Sequence, residues 1–191
     1  MRKKVFGHGI NDVDSVCDGN GNKEQAYKAW TTMLSRCYSP SHLKRSPWYV
    51  GTVVCDEWLR YSVFRKWWVE NQVDGWDLDK DLIGGGKKIY SADTCIFVPR
   101  WINTFIRAKP AGKSLPIGCS FHKASGKYRA DICIGGKVFA IGLFDSAEDA
   151  NAAWAIEKLI YANQRREEMD AIDKMIFQSI VSKVNSWIVQ K

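Results

Sequence analysis

The chain has 191 residues, of which 46% are hydrophobic and 26% are charged, and Lys and Arg outnumber Asp and Glu by 28 to 21. This composition is typical of a soluble globular protein, and the length suits one large domain or two small ones. Because no apolar run approaches about eighteen residues, the sequence predicts no membrane span. The formal charge of +7 favours polyanionic partners through counterion release and indicates no sequence preference.

The N-terminal segment "MRKKVFGHGIND" is basic but has no apolar stretch behind it, so it does not resemble a secretion signal. Six cysteines in a chain of this length, without such a signal, indicate reduced thiols rather than a disulfide framework. We therefore expect a cytoplasmic protein.

Residues 1–24 are rich in Gly, Asn and Asp, which predicts an irregular arm. The next segment, "KEQAYKAWTTMLSRCY", has the apolar spacing of one helix face. The residues on that face are Ala26, Ala29, Trp30, Met33, Leu34 and Cys37. A proline-bearing loop that exposes Lys44 and Arg45 then leads into a short strand at 52–55.

The segment "DEWLRYSVFRKWWVENQ" predicts a second helix, with Asp56 able to cap its start. The apolar stripe of this helix consists of Trp58, Tyr61, Phe64, Trp67 and Trp68. Residues 75–103, "GWDLDKDLIGGGKKIYSADTCIFVPRWIN", then predict a strand, a glycine turn, a second strand and the start of a helix near Pro99. The composition of "AKPAGKSLP" predicts a linker at 108–115.

Three strand-like runs follow the linker: "IGCSFHK", "KYRADICI" and "KVFAIGLF". The turns "ASG" and "GG" between them suit hairpins. A helix with Asp145 or Ser146 as its N-cap comes next, in "DSAEDANAAWAIEKLIYA". Residues 164–191 predict a C-terminal amphipathic helix, whose stripe needs a partner surface in the protein's own core or on another chain. The members of this stripe are Met169, Ile172, Ile176, Ile180, Val184 and Trp187.

The carboxylates Asp77, Asp79 and Asp81 crowd together in the segment 75–103. A metal-dependent nuclease needs ligands for a divalent cation, a base that activates water and basic groups that hold the phosphate. Residues 26–106 resemble the HNH, or His-Me finger, endonuclease-like proteins of bacteriophages through "AWTTMLSRCY", "VCDEW" and "LDKDLIGGGKKIYSADTCIFVPRWIN". The resemblance implies a ββα module with flanking helices over residues 25–107, and a bacterial host cell.

In active members of that family, an Asp–His pair ends the first strand and two Asn residues follow it. The resemblance implies that Asp79 and Asn103, nine residues after Thr94, are ligands of Mg²⁺ or another divalent cation. It puts Lys80 at the catalytic base position and Thr94 at the position of the first Asn. A lysine ammonium cannot accept a proton from water near neutral pH unless burial has removed its own proton.

Three interpretations of this cluster stay open from the sequence. The carboxylates are solvated groups beside a turn, with Lys80 paired to one of them. Alternatively, they form a metal site without a competent base, or a working nuclease site with an unusual base. Zinc is not expected, because Cys17, Cys37, Cys55 and Cys95 contain no C-x-x-C pair and are more typical of buried apolar thiols.

Residues 116–163 resemble an Apetala2-type DNA-binding domain. The likeness rests on "PIGCSFHKASGKYRADI", "AIGLFDSAEDANAAW" and the spacing of Ala147, Ala150 and Ala153. It implies three antiparallel strands on one helix, with the sheet entering the major groove of double-stranded DNA. The base-reading positions of plant members correspond roughly to Ile117, Ser120, Ser125 and Cys133, which implies phosphate contact rather than sequence-specific readout.

Strand alternation independently sorts the side chains of this sheet into two faces. The face expected to meet the helix carries Ile117, Cys119, Phe121, Ala130 and Ile132. The opposite face, predicted to bind DNA, carries Ser120, His122, Lys127, Arg129 and Lys137. A basic and polar face of this kind suits phosphate contact.

The sequence therefore predicts an α+β protein that joins an HNH-like module to a three-stranded antiparallel sheet with one helix, followed by a C-terminal helix. Its predicted function is DNA binding, in a protein of bacteriophage or mobile-element type whose HNH endonuclease-like module is degenerate. One alternative is an active metal-dependent endonuclease. Another is a phage protein that inhibits a host defence enzyme by direct contact, through the C-terminal helix and a tryptophan-rich surface.

Overall fold

The computed structural model describes residues 3–17, 20–21, 23–107 and 115–189. The fold is α+β, as predicted, and it divides into two compact units, Met1–Phe97 and Val98–Lys191. Across these described ranges, no helix has both the length and the apolar character needed to cross a bilayer.

The division falls ahead of the predicted linker, of which residues 108–114 lie outside the described part of the chain. The reason is that helix α4 (Arg100–Phe105) packs within unit 2. Its Trp101 Nε1 donates a hydrogen bond to Glu168 Oε1 at 2.8 Å, and its Phe105 carbonyl accepts one from Lys158 Nζ. The predicted strand–turn–strand–helix segment is therefore shared between the two units.

The helices of unit 1 enclose its apolar core. They are α1 (Gln25–Tyr38), α2 (Pro40–Arg45) and α3 (Tyr61–Asn71), with single 3-10 turns at Pro47–Tyr49 and Glu57–Leu59. The predicted face of α1 is confirmed, since all of its members except the half-buried Ala29 are buried. Trp30 is fully buried, and its indole Nε1 donates to the carbonyl oxygen of Trp58 at 2.7 Å.

Four short strands between residues 53 and 99 form two pairs, and the last of them crosses the division between the units. Strand β1 (Val53–Val54) runs parallel to β3 (Ile89–Tyr90), and β2 (Trp76–Asp79) pairs with β4 (Ile96–Pro99). The Phe97 ring packs against Trp67 and Trp68 of α3, with ring centroids 5.7 and 4.8 Å apart. Aromatic contacts of this kind join the end of the second pair to the core.

The prediction that Asp56 caps the second helix is wrong. Asp56 instead precedes the 3-10 turn and makes no capping hydrogen bond, and α3 begins at Tyr61 after the extended backbone of Arg60. The N-terminal arm supplies the missing cap. Asp12 Oδ1 accepts from Ser62 N at 2.8 Å, and Asp12 Oδ2 accepts from Ser62 Oγ at 2.7 Å.

The arm is irregular, as predicted, but it packs closely on the core. Ile10 exchanges backbone hydrogen bonds with the chain at Leu59 and Tyr61, at 2.7 and 3.0 Å. Gly9 lies so close to α1 that a Cβ there would come within 2.3 Å of Leu34 Cδ1 and 2.8 Å of the Trp30 ring. Composition alone gave no sign of this packing.

Unit 2 contains the predicted antiparallel sheet, in the order β5 (Cys119–His122), β6 (Lys127–Ile134) and β7 (Lys137–Phe144). The two-residue turn between β6 and β7 needs positive φ at both positions, and Gly135 and Gly136 supply it at +58° and +79°. The single long helix on the sheet is α5 (Ala147–Gln164). Ser146 is its N-cap and accepts from Asp149 N at 3.0 Å.

Small residues let α5 lie close to the sheet. A Cβ on Gly118 would fall 2.1 Å from Trp154 Cγ, so only glycine fits beneath that ring. Ala150 and Ala155 are fully buried, whereas the predicted Ala153 is half-buried. Asn151 is buried beside them, and its amide bonds the carbonyl oxygens of Ile117 and Trp187 and the backbone N–H of Val189.

The C-terminal helix is interrupted. It consists of α6 (Arg166–Asp170) and α7 (Lys174–Asn185), and Asp173 caps the second by accepting from Met175 N at 2.7 Å. Four members of the predicted stripe are buried, as α7 packs on α5 and α6. They are Met169, Ile176, Ile180 and Val184. The sequence left open whether the stripe packs on the protein's own core or on another chain. In the structure it packs within unit 2.

We expect Asp12→Ala to lower the free energy of unfolding by about 1 kcal/mol, because α3 loses the side chain that caps it. Urea denaturation followed by circular dichroism measures the change. Asp74, an exposed carboxylate after α3, provides the matched control Asp74→Ala, which should leave stability nearly unchanged. Equal stability of the two variants would contradict the assignment.

Lys158 leads to a second prediction, because burial lowers the pKa of this lysine to about 8. The unfolded chain keeps the proton up to about pH 10.5, so the native protein gains stability from this group as the pH rises between about 8 and 10.5. Lys158→Met removes that gain. The stability difference, wild type minus variant, should therefore increase by about 2 kcal/mol between pH 7 and pH 10.

Urea denaturation at the two pH values measures this difference. Lys174→Met, at an exposed lysine on α7, is the control for the loss of a lysine side chain. A stability difference between wild type and Lys158→Met that stays constant with pH would show that Lys158 has the same proton affinity in the native and unfolded states.

Candidate functional site

Asp79 ends β2 and holds the turn that follows it. Its Oδ1 accepts hydrogen bonds from the backbone N–H groups of Asp81 and Leu82, at 2.7 and 2.9 Å. This is the local turn that an Asp side chain makes with its own backbone. Farther along the turn Gly84 is buried, and a Cβ there would lie 2.8 Å from the Lys80 carbonyl oxygen and 3.3 Å from Thr94 Cβ.

Lys80 is turned into unit 1 and is only 8% exposed. Its Nζ donates to Asp81 Oδ1 and lies 5.6 Å from the centroid of the Tyr90 ring. The ammonium therefore has a carboxylate and an aromatic face as neighbours. Nζ is a hydrogen-bond donor to a carboxylate here, whereas a catalytic base must accept a proton.

The Thr94 side chain is buried and holds the backbone after β3. Its hydroxyl donates to the Ile89 carbonyl oxygen at 2.7 Å and accepts from Ser91 N at 3.1 Å. Asn103, the second metal ligand implied by the resemblance, is buried on α4 and belongs to unit 2. The four residues at the nuclease positions are therefore divided between the two units.

Two of the donors in unit 1 already make hydrogen bonds within the fold. One Asp79 oxygen accepts two backbone N–H groups, and the Thr94 hydroxyl is committed to backbone partners. Within the part of the chain that the structure describes, no group of three or more His, Cys, Asp or Glu side chains is arranged to hold a metal ion. We derive no hydrolytic step from these residues, and Mg²⁺ binding stays a prediction.

The cysteines of unit 1 occupy different environments. Cys37 and Cys95 are buried, as expected, and burial raises the pKa of each thiol to about 12. Cys55 is half-buried, and burial raises its pKa to about 11. Cys17 is exposed, so the expectation of a buried thiol is wrong there.

The register of unit 2 defines an open face of the sheet, on the side away from α5. Ser120 lies opposite Arg129, and His122 lies opposite Lys127. Because directly paired residues share a face, these four side chains lie on one side, as strand alternation predicts. The residues buried beneath α5, on the other side, are Cys119, Ala130 and Ile132.

The predicted face of Lys137 is wrong, and the expected burial of Phe121 is wrong. Lys137 lies opposite Ile134, so it is on the face that carries Ala130 and Ile132 rather than on the open face. The two-residue turn at Gly135 and Gly136 fixes this pair, and the irregularity between Ala130 and Asp131 lies at the other end of the hairpin. Phe121 lies on the predicted face, opposite Tyr128, but it is 51% exposed instead of covered by α5, and its ring packs edge-on against Tyr128.

Both cations of the open face have carboxylate partners. Arg129 Nε lies 2.7 Å from Asp131 Oδ2, and Lys127 Nζ lies 2.9 Å from Asp145 Oδ1. Exposed pairs such as these contribute little to stability, so another anion can replace the carboxylate at low cost. Sequence reasoning missed these partners, although alternation along β6 already puts Asp131 on the same face as Arg129.

Comparison with protein families, curated proteins and solved structures finds no match to this chain.

Two substitutions of Asp79 test whether the turn needs the side-chain oxygen or the negative charge. Asp79→Asn keeps a side-chain oxygen for the two N–H groups, whereas Asp79→Ala leaves them without this acceptor. We expect the Ala variant to lose about 1 kcal/mol of unfolding free energy and the Asn variant clearly less. Asp93→Ala, at an exposed carboxylate in the same unit, is the control. Equal losses in the Asn and Ala variants would show that the charge matters instead.

Proposed function

We propose that this chain binds double-stranded DNA on the open face of the β5–β7 sheet and does not hydrolyse it. The observation that carries the proposal is the register that groups Lys127, Arg129, Ser120 and His122 on one side of a small antiparallel sheet. A β-ribbon fits the major groove of B-DNA, and basic and hydroxyl side chains contact phosphates. The net charge of +7 favours the same partner.

The ion pairs of the open face are compatible with this function. A phosphate that approaches Arg129 takes the place of Asp131, and one that approaches Lys127 takes the place of Asp145. Both exchanges replace one anionic oxygen by another at the same cation. Because these contacts are made to the backbone of DNA, we expect binding that is largely independent of sequence.

The proposal keeps the HNH resemblance as that of a degenerate module, in a protein of bacteriophage or mobile-element type. Lys80 occupies the base position and donates to Asp81, while Asp79 and Thr94 hold backbone turns. General-base catalysis contributes about 10²–10⁴-fold to the rate of a reaction, so its loss leaves cutting slow or absent.

A mobility-shift titration of a random duplex at two salt concentrations tests binding. Lys127→Ala and Arg129→Ala should each weaken binding about equally across sequences, and each should lower the salt slope by about 0.9. Asp131→Asn should strengthen binding, since it removes the competing carboxylate of Arg129. Lys137→Ala is a charge-matched control on the other face of the sheet.

The proposed site is wrong if the Lys127→Ala/Arg129→Ala double variant binds duplex DNA like the parent. It is also wrong if Lys137→Ala weakens binding as much as either single change on the open face.

Plasmid nicking with Mg²⁺ or Mn²⁺ tests the absence of cleavage. The parent should leave supercoiled plasmid intact under conditions where it binds the plasmid. Lys80→His restores the expected base and should permit slow nicking if the remaining groups of the family site are competent. Metal-dependent cutting by the parent that Asp79→Ala abolishes would favour the endonuclease alternative instead.

One observation favours the alternative of protein contact. Val138 and Leu143 are 67% and 45% exposed, and they lie opposite Cys133 and Arg129 on the open face. Apolar side chains beside cations are typical of protein interfaces. Of the two surfaces that sequence analysis offered for this role, the C-terminal stripe is largely buried, whereas Trp48 is 68% exposed. Such a protein need not bind DNA, and the mobility shift therefore separates the two functions.

A further inference from the structure

A second cationic surface lies on unit 1, around an exposed tryptophan. It consists of Lys44 and Arg45 at the end of α2, Trp48 in the 3-10 turn after it, and Lys87 and Lys88 before β3. We call these five residues the Trp48 surface. One side-chain and one backbone hydrogen bond join its parts: Lys88 Nζ donates to the Val50 carbonyl oxygen at 2.9 Å, and Val53 N donates to the Lys88 carbonyl oxygen, also at 2.9 Å.

The Lys and Arg side chains of residues 25–55 have no Asp or Glu among them. These cations are Lys28, Arg36, Lys44 and Arg45. All four cations of the Trp48 surface are exposed. Within the described ranges, none of them forms an ion pair with a carboxylate. Lys127 and Arg129 on the sheet, by contrast, are both paired.

Trp48 is held out from the core rather than packed into it. It is 68% exposed, whereas Trp30 and Trp58 of the same unit are almost completely buried. The turn that carries it is fixed, because Tyr49 N donates to Ser46 O and Val50 N donates to Pro47 O. The next ring, Tyr49, lies near His42 and the Arg36 guanidinium. The fixed turn therefore presents an exposed aromatic face on which another ring can stack.

We propose that the Trp48 surface binds single-stranded DNA, with a base stacked on Trp48 and the adjoining phosphates on Lys44, Arg45, Lys87 and Lys88. The four cations favour a polyanionic ligand. The exposed Trp48 ring favours a polyanion that carries aromatic groups able to stack on it. Bases in a duplex are already stacked on one another, whereas bases in a single strand are free to stack on an aromatic side chain. This inference goes beyond duplex binding by the sheet and does not depend on it.

Fluorescence anisotropy of a labelled oligothymidylate of about 15 nucleotides, with the full chain, tests the inference. Trp48→Ala should weaken binding roughly 5-fold to 100-fold, and Trp48→Phe, which keeps a ring for stacking, should weaken it much less. Val69→Ala is the control for loss of exposed apolar surface, since Val69 is 65% exposed on α3.

The cations are tested by the salt dependence of the same binding. Lys44→Ala/Arg45→Ala and Lys87→Ala/Lys88→Ala should each lower the salt slope by about 1.4, because each single-strand phosphate that a cation neutralises adds about 0.7 to that slope. Lys66→Ala, at an exposed lysine on α3, is the charge control and should have little effect.

The outcomes separate this inference from the proposed function. Lys127→Ala/Arg129→Ala should weaken duplex binding and leave oligothymidylate binding intact, while Trp48→Ala should do the reverse. Oligothymidylate binding that is equal in the parent and in folded Trp48→Ala overturns the inference. Binding of the parent to phosphatidylserine vesicles but not to the oligonucleotide overturns it as well. If Trp48→Ala does not fold, the two double variants decide, and unchanged affinity and salt slope in both of them overturn the inference.

Discussion

The need to satisfy backbone hydrogen-bonding groups determines where the polar side chains of this protein go. Asp12 accepts from the first turn of α3, Asp79 holds the turn after β2, and Thr94 bonds the carbonyl oxygen that precedes Tyr90. In unit 2, Asn151 and Lys158 do the same for chain segments that pack on α5. Each of these side chains therefore supplies a hydrogen-bond partner to the backbone, and its removal takes that partner away.

This constraint bears directly on function. A catalytic site needs polar groups whose lone pairs and protons are available to a substrate, whereas those at the nuclease positions of unit 1 are used within the fold. The polar groups on the open face of the sheet are different, because their partners are exposed carboxylates that a phosphate can replace. We therefore place the proposed function in binding rather than in hydrolysis. The exposed cations around Trp48 extend the same reasoning to a second surface.

Much of the fold could be predicted because its signals are local. Strands β6 and β7 coincide with the predicted runs, since period-two alternation and the Gly135–Gly136 turn fix both of their ends. The buried face of α1 likewise follows from its periodicity. The failures all depend on partners distant in the chain or on register. Asp12 caps a helix about fifty residues away, Lys137 takes the face of its cross-strand partner Ile134, and α4 packs with residues beyond the predicted linker. The residues of the candidate site could be predicted from the sequence. The hydrogen bonds that tie them to the backbone could not be predicted.

Amide hydrogen exchange of the full chain, with and without a saturating random duplex and in the presence of Mg²⁺, tests the central claim most directly, because it locates the bound DNA and the same samples reveal any cut strand. The account predicts slower exchange in β5, β6 and the turn between them, little change over residues 76–97, and intact DNA at the end of the incubation. Slower exchange confined to residues 76–97, together with cleaved strands, would contradict it.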